Sequence, residues 1–321
     1  TPPPTHDRSR TVKNTPLGDV RYLTRTTQPT GEWPYNLRDK EAKPPPAPPH
    51  VREFRKKTKA STSATPRKRS FETGGGKYRS SWMTADFSTE GHGVSMFAYQ
   101  FAKSLNRQGV PQGFVTMSSG QGGRHKQIAS PLSWTSFNGV KDIKNPAFKA
   151  RLDELFLQFP HSEIAMKAVD KHLEEVKTFV KTIVDAGKSG ADMSRGVPLG
   201  GPAFPQAGKS GTVTTDMIPT YAYNWCVSPL TPMAVAGVIW IPSESNLGYT
   251  PANYAAELEI YARSLPATYG QDKVQLIYAQ PASSLVKGIT TPKISGAKSI
   301  TFDQWPKSLK DLAVRMAKLA E

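Results

Sequence analysis

The chain has 321 residues, of which 37% are hydrophobic, enough for one large domain with its own core. Its formal net charge is +16, and residues 1–80 contribute +11 of it, with 18 Lys/Arg against 7 Asp/Glu and 12 of the 28 prolines. One cysteine, Cys226, excludes an internal disulfide framework, and no apolar run is long enough to span a bilayer.

The first 80 residues read as a basic, proline-rich extended arm without a core. They contain one strand pattern, Asp19 to Arg25, and the clusters Pro44-Pro45-Pro46 and Pro48-Pro49, which favour polyproline-like chain. Arg52 to Lys59 and Arg67-Lys68-Arg69 are basic runs suited to an anionic partner, a nucleic acid, an acidic polysaccharide or an acidic protein face. No aromatic residues interleave with them in a stacking pattern, which weakens a single-strand nucleic-acid reading. The start at Thr1, without Met or a signal peptide, leads to the expectation of a processed or partial chain.

From residue 81 the patterning is that of an α/β domain. Ser95 to Asn106 carries Met96, Phe97, Phe101 and Leu105 at helical spacing, and Gly113 to Met117 reads as a strand. A turn rich in Gly and Ser follows, containing Gly120 and Gly122; its backbone amides suit either oxyanion stabilisation or a tight turn. Residues 146–188 predict two helices, the first starting at Pro146 after the capping residue Asn145 and the second ended by Gly187. His161 and His172 fall on or near the second helix and read as surface or core residues, not ligands. Residues 189–222 read as a long loop.

Met233 to Ile241 is a run of small and β-branched residues, the composition of a parallel strand buried on both faces. It ends in Pro242-Ser243-Glu244-Ser245-Asn246, and ligands of open α/β sheets bind past such carboxyl ends. A helix from about Pro251 to Leu265, a strand over Val274 to Pro281 and a last helix from about Pro306 to Ala320 complete the pattern. Cys226, just before the central strand, reads as an inert buried thiol. No Walker motif, GxGxxG or metal-ligand spacing is present, so no cofactor is expected.

Gly237-Val238-Ile239-Trp240 followed by Glu244-Ser245-Asn246 resembles the signature Gly-Val-Ile-Trp-Tyr-Gln-Gly-Glu-Ser-Asn of the sialate O-acetylesterase family, a branch of the SGNH/GDSL-type carbohydrate esterases. Tyr223-Asn224, Pro229-Leu230, Phe87-Ser88, Gly91, Leu105, Val110-Pro111, Gly113 and Trp134-Thr135 fit the same family. The resemblance implies a flavodoxin-like, SGNH-hydrolase-like, mostly parallel sheet between helices over 81–321. It places the oxyanion glycine on Gly120 or Gly122, and a vestigial pocket at Ser243, Glu244 and Asn246.

The departures bear on catalysis. The family's Asp-x-His-Pro, which carries the base, is matched by Asp303-Gln304-Trp305-Pro306, and an indole N–H donates only and cannot take a proton. The nucleophile motif Gly-Gln-Ser-Asn-Met is absent from residues 1–80, where Asp19 to Thr27 resembles the family's next strand. His92 and His125 are spare histidines near family motifs. The expectation is a degenerate, non-catalytic domain acting as a structural or scaffold subunit with other protein subunits as partners. The alternatives are an active carbohydrate esterase whose nucleophile strand lies on another piece of chain, with carbohydrate bound, and a module for an anionic polymer. A missing central strand must in any case be replaced, by a second polypeptide, by a partner subunit or by this chain's own N-terminal segment, because its neighbours' buried backbone groups need partners.

Overall fold

The computed structural model describes residues 20–25, 51–55, 81–84, 96–105, 112–117, 130–159, 161–190, 200–206, 213, 217–231, 233–242, 247, 251–305 and 309–321. Among the described residues seven strands form one sheet: β1 (Val20–Arg25), β2 (Val51–Arg55), β3 (Ser81–Thr84), β4 (Gln112–Met117), β5 (Gly237–Trp240), β6 (Gln275–Pro281) and β7 (Lys298–Phe302). Their order is β3-β2-β4-β1-β5-β6-β7, and every pairing is parallel except that of β3 with β2 at one edge. This is an α/β fold.

Side-chain alternation builds the two faces. Phe114, Ile239, Ile241, Ile277, Ala279, Ile300 and Phe302 enter one core, which α1 (Met96–Ser104) and the C-terminal helix α6 (Leu309–Ala320) cover. The intervening residues Val115, Val238, Trp240, Leu276 and Tyr278 enter the opposite core, under α5 (Pro251–Tyr269). A period of two sends neighbours to opposite faces, so a strand with both faces covered reads as a continuous apolar run. All four residues of β5 are accordingly buried. On the first face Ala98 and Ala102 of α1 and Ala313 and Ala317 of α6 are buried together, small residues that allow close helix approach, while Phe101 meets the Phe114 ring edge-on at 5.9 Å.

Two local devices place β5. A Cβ on Gly237 would lie 2.9 Å from the carbonyl oxygen of Gln275, so only glycine admits the close approach of β6. The Gln271 amide acts as a strand neighbour: its Oε1 accepts from the Val235 N–H at 2.7 Å and its Nε2 donates to the Val235 carbonyl at 3.0 Å. Ahead of them, Thr220 holds a left-handed φ of 68° while its N–H donates to Leu132 O and its carbonyl accepts from the Asn224 N–H. A π-helical turn, Tyr223–Val227, follows. Cys226 is buried there, where the sequence places an inert thiol.

The helical region contains α2 (Phe137–Val140), α3 (Lys149–Phe156) and α4 (Glu163–Lys188). Asn145 does cap, accepting from the Ala147 N–H at 3.0 Å, but the turn it starts is a short 3-10 segment, Pro146–Phe148. Gly187 does not stop α4; the helix runs on to Lys188, and Gly190, with φ 71°, takes the left-handed conformation beyond it. Helix α5 likewise outruns its expected end at Leu265: it runs through Pro266 to Tyr269, and the positive φ falls at Gly270.

Two segments of residues 1–80 belong to the sheet. The strand pattern at Asp19 to Arg25 is β1, and it fills the slot between β4 and β5. The basic run from Arg52 overlaps β2, Val51-Arg52-Glu53-Phe54-Arg55, which pairs parallel with β4. The rest of the expected arm lies outside the described residues.

A buried ion pair ties the helical region to the sheet layers. Arg151 of α3 and Glu257 of α5 are 5% and 1% exposed; the guanidinium donates to the Glu257 carboxylate, to Ser130 Oγ and, at 2.8 Å, to the Met217 carbonyl. Burial pushes the Glu257 carboxyl up, and Arg151 pulls it partly back. Removing one charge strands the other in a dry site, so Glu257→Gln is expected to destabilise the protein by about 3–5 kcal/mol in chemical denaturation. An Arg151→Met/Glu257→Leu double variant is expected to lie closer to the parent, and equal losses for both variants would contradict this account.

Candidate functional site

The chain order turns back at β1. On one side lie β4 and β2, on the other β5, β6 and β7, so β1 marks the topological switch point, where open parallel sheets place their ligand crevice. Arg25, at the carboxyl end of β1, is in register with Met117 of β4 and Trp240 of β5. The candidate site is therefore the carboxyl rim over these three strands, and the segments leaving β4 and β5 carry the residues that the sequence singled out. Gly120 and Gly122 follow β4; Ser243, Glu244 and Asn246 follow β5; all five lie outside the described residues, as do His92 and His125.

The described part of the rim is formed by the ends of β5, β6 and β7. Trp240 is 1% exposed, stacks at a tilt on Tyr261 with centroids 5.3 Å apart, and donates its indole N–H to Tyr254 Oη at 3.1 Å. Burial raises the Tyr254 phenol far above its ordinary range, so it stays neutral and accepts this bond. The hydroxyl thus anchors the end of β5 from below.

Trp305 and Asp303 differ in setting. Asp303 is exposed, whereas Trp305 is half-buried, lies 5.2 Å from the Phe302 ring and packs against both core clusters. Contact with both faces of the sheet means that the indole sits across the carboxyl edge near β7. A side chain there supplies apolar closure and one N–H donor, with no proton acceptor.

Gln280 is a residue that the motif reading passed over. It is 4% exposed near the end of β6; its Nε2 donates to the Pro281 carbonyl at 3.1 Å, and its Oε1 has no hydrogen-bond partner among the described residues. The available signal was one polar residue between Ala279 and Pro281, after the apolar run Leu276 to Ala279. The histidines of the helical region stand apart from this rim, His161 exposed and His172 against the Phe204 ring. Among the described residues no group of three His, Cys, Asp or Glu side chains is placed to hold a metal ion. No helix among them is long and apolar enough to cross a membrane.

No family model and no curated protein sequence matches the chain. Among solved structures it is similar to a carbohydrate acetylesterase from Xanthomonas citri, with a TM-score of 0.51 and 17% sequence identity over 94% of this chain. The chain spans 55% of the length of that protein. The likeness establishes a shared α/β fold.

The packing of Trp305 assigns it a closure role that a stability measurement reads directly. Trp305→Ala is expected to cost about 1–3 kcal/mol, the range for a half-buried aromatic that leaves a cavity at the sheet edge. An unchanged melting temperature would contradict the closure role.

Proposed function

We propose that the chain is an SGNH-hydrolase-like domain of the sialate O-acetylesterase type that has lost its catalytic apparatus and serves as a structural or scaffold subunit. The observation that carries this reading is Trp305, which stands where the esterases keep their base and is engaged in closing the core. Serine ester hydrolysis needs a nucleophile, a base that accepts its proton and donors for the oxyanion. Loss of the base alone lowers the rate by on the order of a thousandfold or more. The likeness in fold to a carbohydrate acetylesterase supports the ancestry, not an activity.

The position of β1 bears on the alternative of an active esterase completed by a strand from another polypeptide. Val20–Arg25 pairs with β4 on one edge and with β5 on the other, so no vacancy remains between those two strands. That strand lacks the Gly-Gln-Ser-Asn-Met motif. The scaffold reading also suits the surplus of positive charge in residues 1–80, which is available to an anionic partner.

Purified full chain is expected to release no p-nitrophenol from p-nitrophenyl acetate and no acetate from O-acetylated sialic acid above the buffer rate. The Trp305→His variant is expected to be equally inert, because the nucleophile block is missing too. Turnover by the parent that a single Ser→Ala or Thr→Ala substitution abolishes would overturn the proposal. Turnover by Trp305→His alone would show a competent nucleophile and overturn that half of it.

A further inference from the structure

Helix α4 carries an apolar seam that no other element covers among the described residues. Met166, Val169, Leu173, Val176, Val180 and Ile183 recur at alternating spacings of three and four, the a and d positions of a coiled coil. Met166, Leu173 and Val180 are 47%, 50% and 51% exposed, and Val184 beside them is 44% exposed. One flank is closed by the chain itself: the His172 ring lies 5.2 Å from Phe204, and a Cβ on Gly201 would touch the Phe179 ring. The open side is the seam together with the flank that bears Asp170, Lys177 and Val184.

We propose that this seam pairs with the same seam of a second copy of the chain, antiparallel, about a two-fold axis midway along the helix. Antiparallel pairing sets Leu173 against the partner subunit's Val176, Val169 against the partner subunit's Val180, and Met166 against the partner subunit's Ile183, each layer occurring twice. On the open flank, Asp170 then faces the partner subunit's Lys177, and the symmetry repeats the pair. Asp170 has no ion-pair partner among the described residues, and Lys177 is exposed, held only by Glu174 one turn away at 2.7 Å. Parallel pairing instead sets His172 against the partner subunit's Lys177 and offers Asp170 only Ala165, with no opposite charges joined. Charge complementarity therefore selects the antiparallel arrangement. A lipid surface fits less well, because α4 carries five lysines and five acidic residues and has no net charge for anionic headgroups.

Sedimentation equilibrium of the full chain tests the proposal. A reversible monomer–dimer equilibrium is expected, abolished by Leu173→Glu/Val180→Glu with circular dichroism and melting temperature unchanged, since both sites are surface positions on a helix. Asp170→Lys or Lys177→Asp alone places like charges across the axis twice and is expected to weaken the dimer by about tenfold. The Asp170→Lys/Lys177→Asp double variant is expected to restore the parent's dissociation constant. A chain that stays monomeric, a dimer insensitive to the two glutamates, or a double variant that does not recover would each overturn the proposal. So would protection of α4 by a different protein or by another segment of the same chain.

Discussion

A strand in the middle of a parallel sheet must satisfy its backbone N–H and C=O groups on both edges, and β1 meets that demand here. It is the shared neighbour of β4 and β5, so its pairing joins the two halves of the sheet. Each buried backbone group left unpaired costs about 1–3 kcal/mol, so an empty slot would exceed the usual stability margin of a domain. The cores above and below depend on this continuity. Phe114 of β4 and Ile239 of β5 belong to one cluster only because β1 holds their strands at fixed spacing. The covering helices then pack on one continuous sheet, α1 and α6 on one face and α5 on the other.

The same slot has a functional meaning. At a topological switch point the chain leaving the central strand enters the crevice, and esterases of the resembled family place their serine there. Here the central strand is Val20-Arg21-Tyr22-Leu23-Thr24-Arg25, a segment whose pattern matches a different strand of that family. The described sheet keeps a complete parallel frame around β1. At the other end of the rim the Trp305 indole supplies apolar area and one N–H donor with no proton acceptor, and both core clusters use that area.

Helix α4 extends from the helical region with its apolar residues outward, while Arg151 and Glu257 fasten α3, its neighbour in the chain, to α5. A buried, multiply bonded arginine gives this outlying layer one orientation relative to the sheet.

Local pattern alone was enough to find the elements whose environment is uniform. The apolar run Met233 to Ile241 identified β5, helical spacing identified α1, α4 and α6, and the strand pattern at Asp19 to Arg25 identified β1. These signals survive in a single chain because each element's burial is written in its own period. Chain order assigns the motif residues around Gly120 and Ser243 to the segments that follow β4 and β5. What tertiary structure decided was arrangement: that β1 rather than a foreign strand fills the central slot, that Val51–Arg55 is a strand beneath a basic run, that Trp305 bridges two cores, and that Arg151 meets Glu257 across 106 positions. None of these is encoded in local periodicity. Each is a contact between distant segments, and its free energy exists only once hydrogen-bond demand and buried charge have brought those segments together.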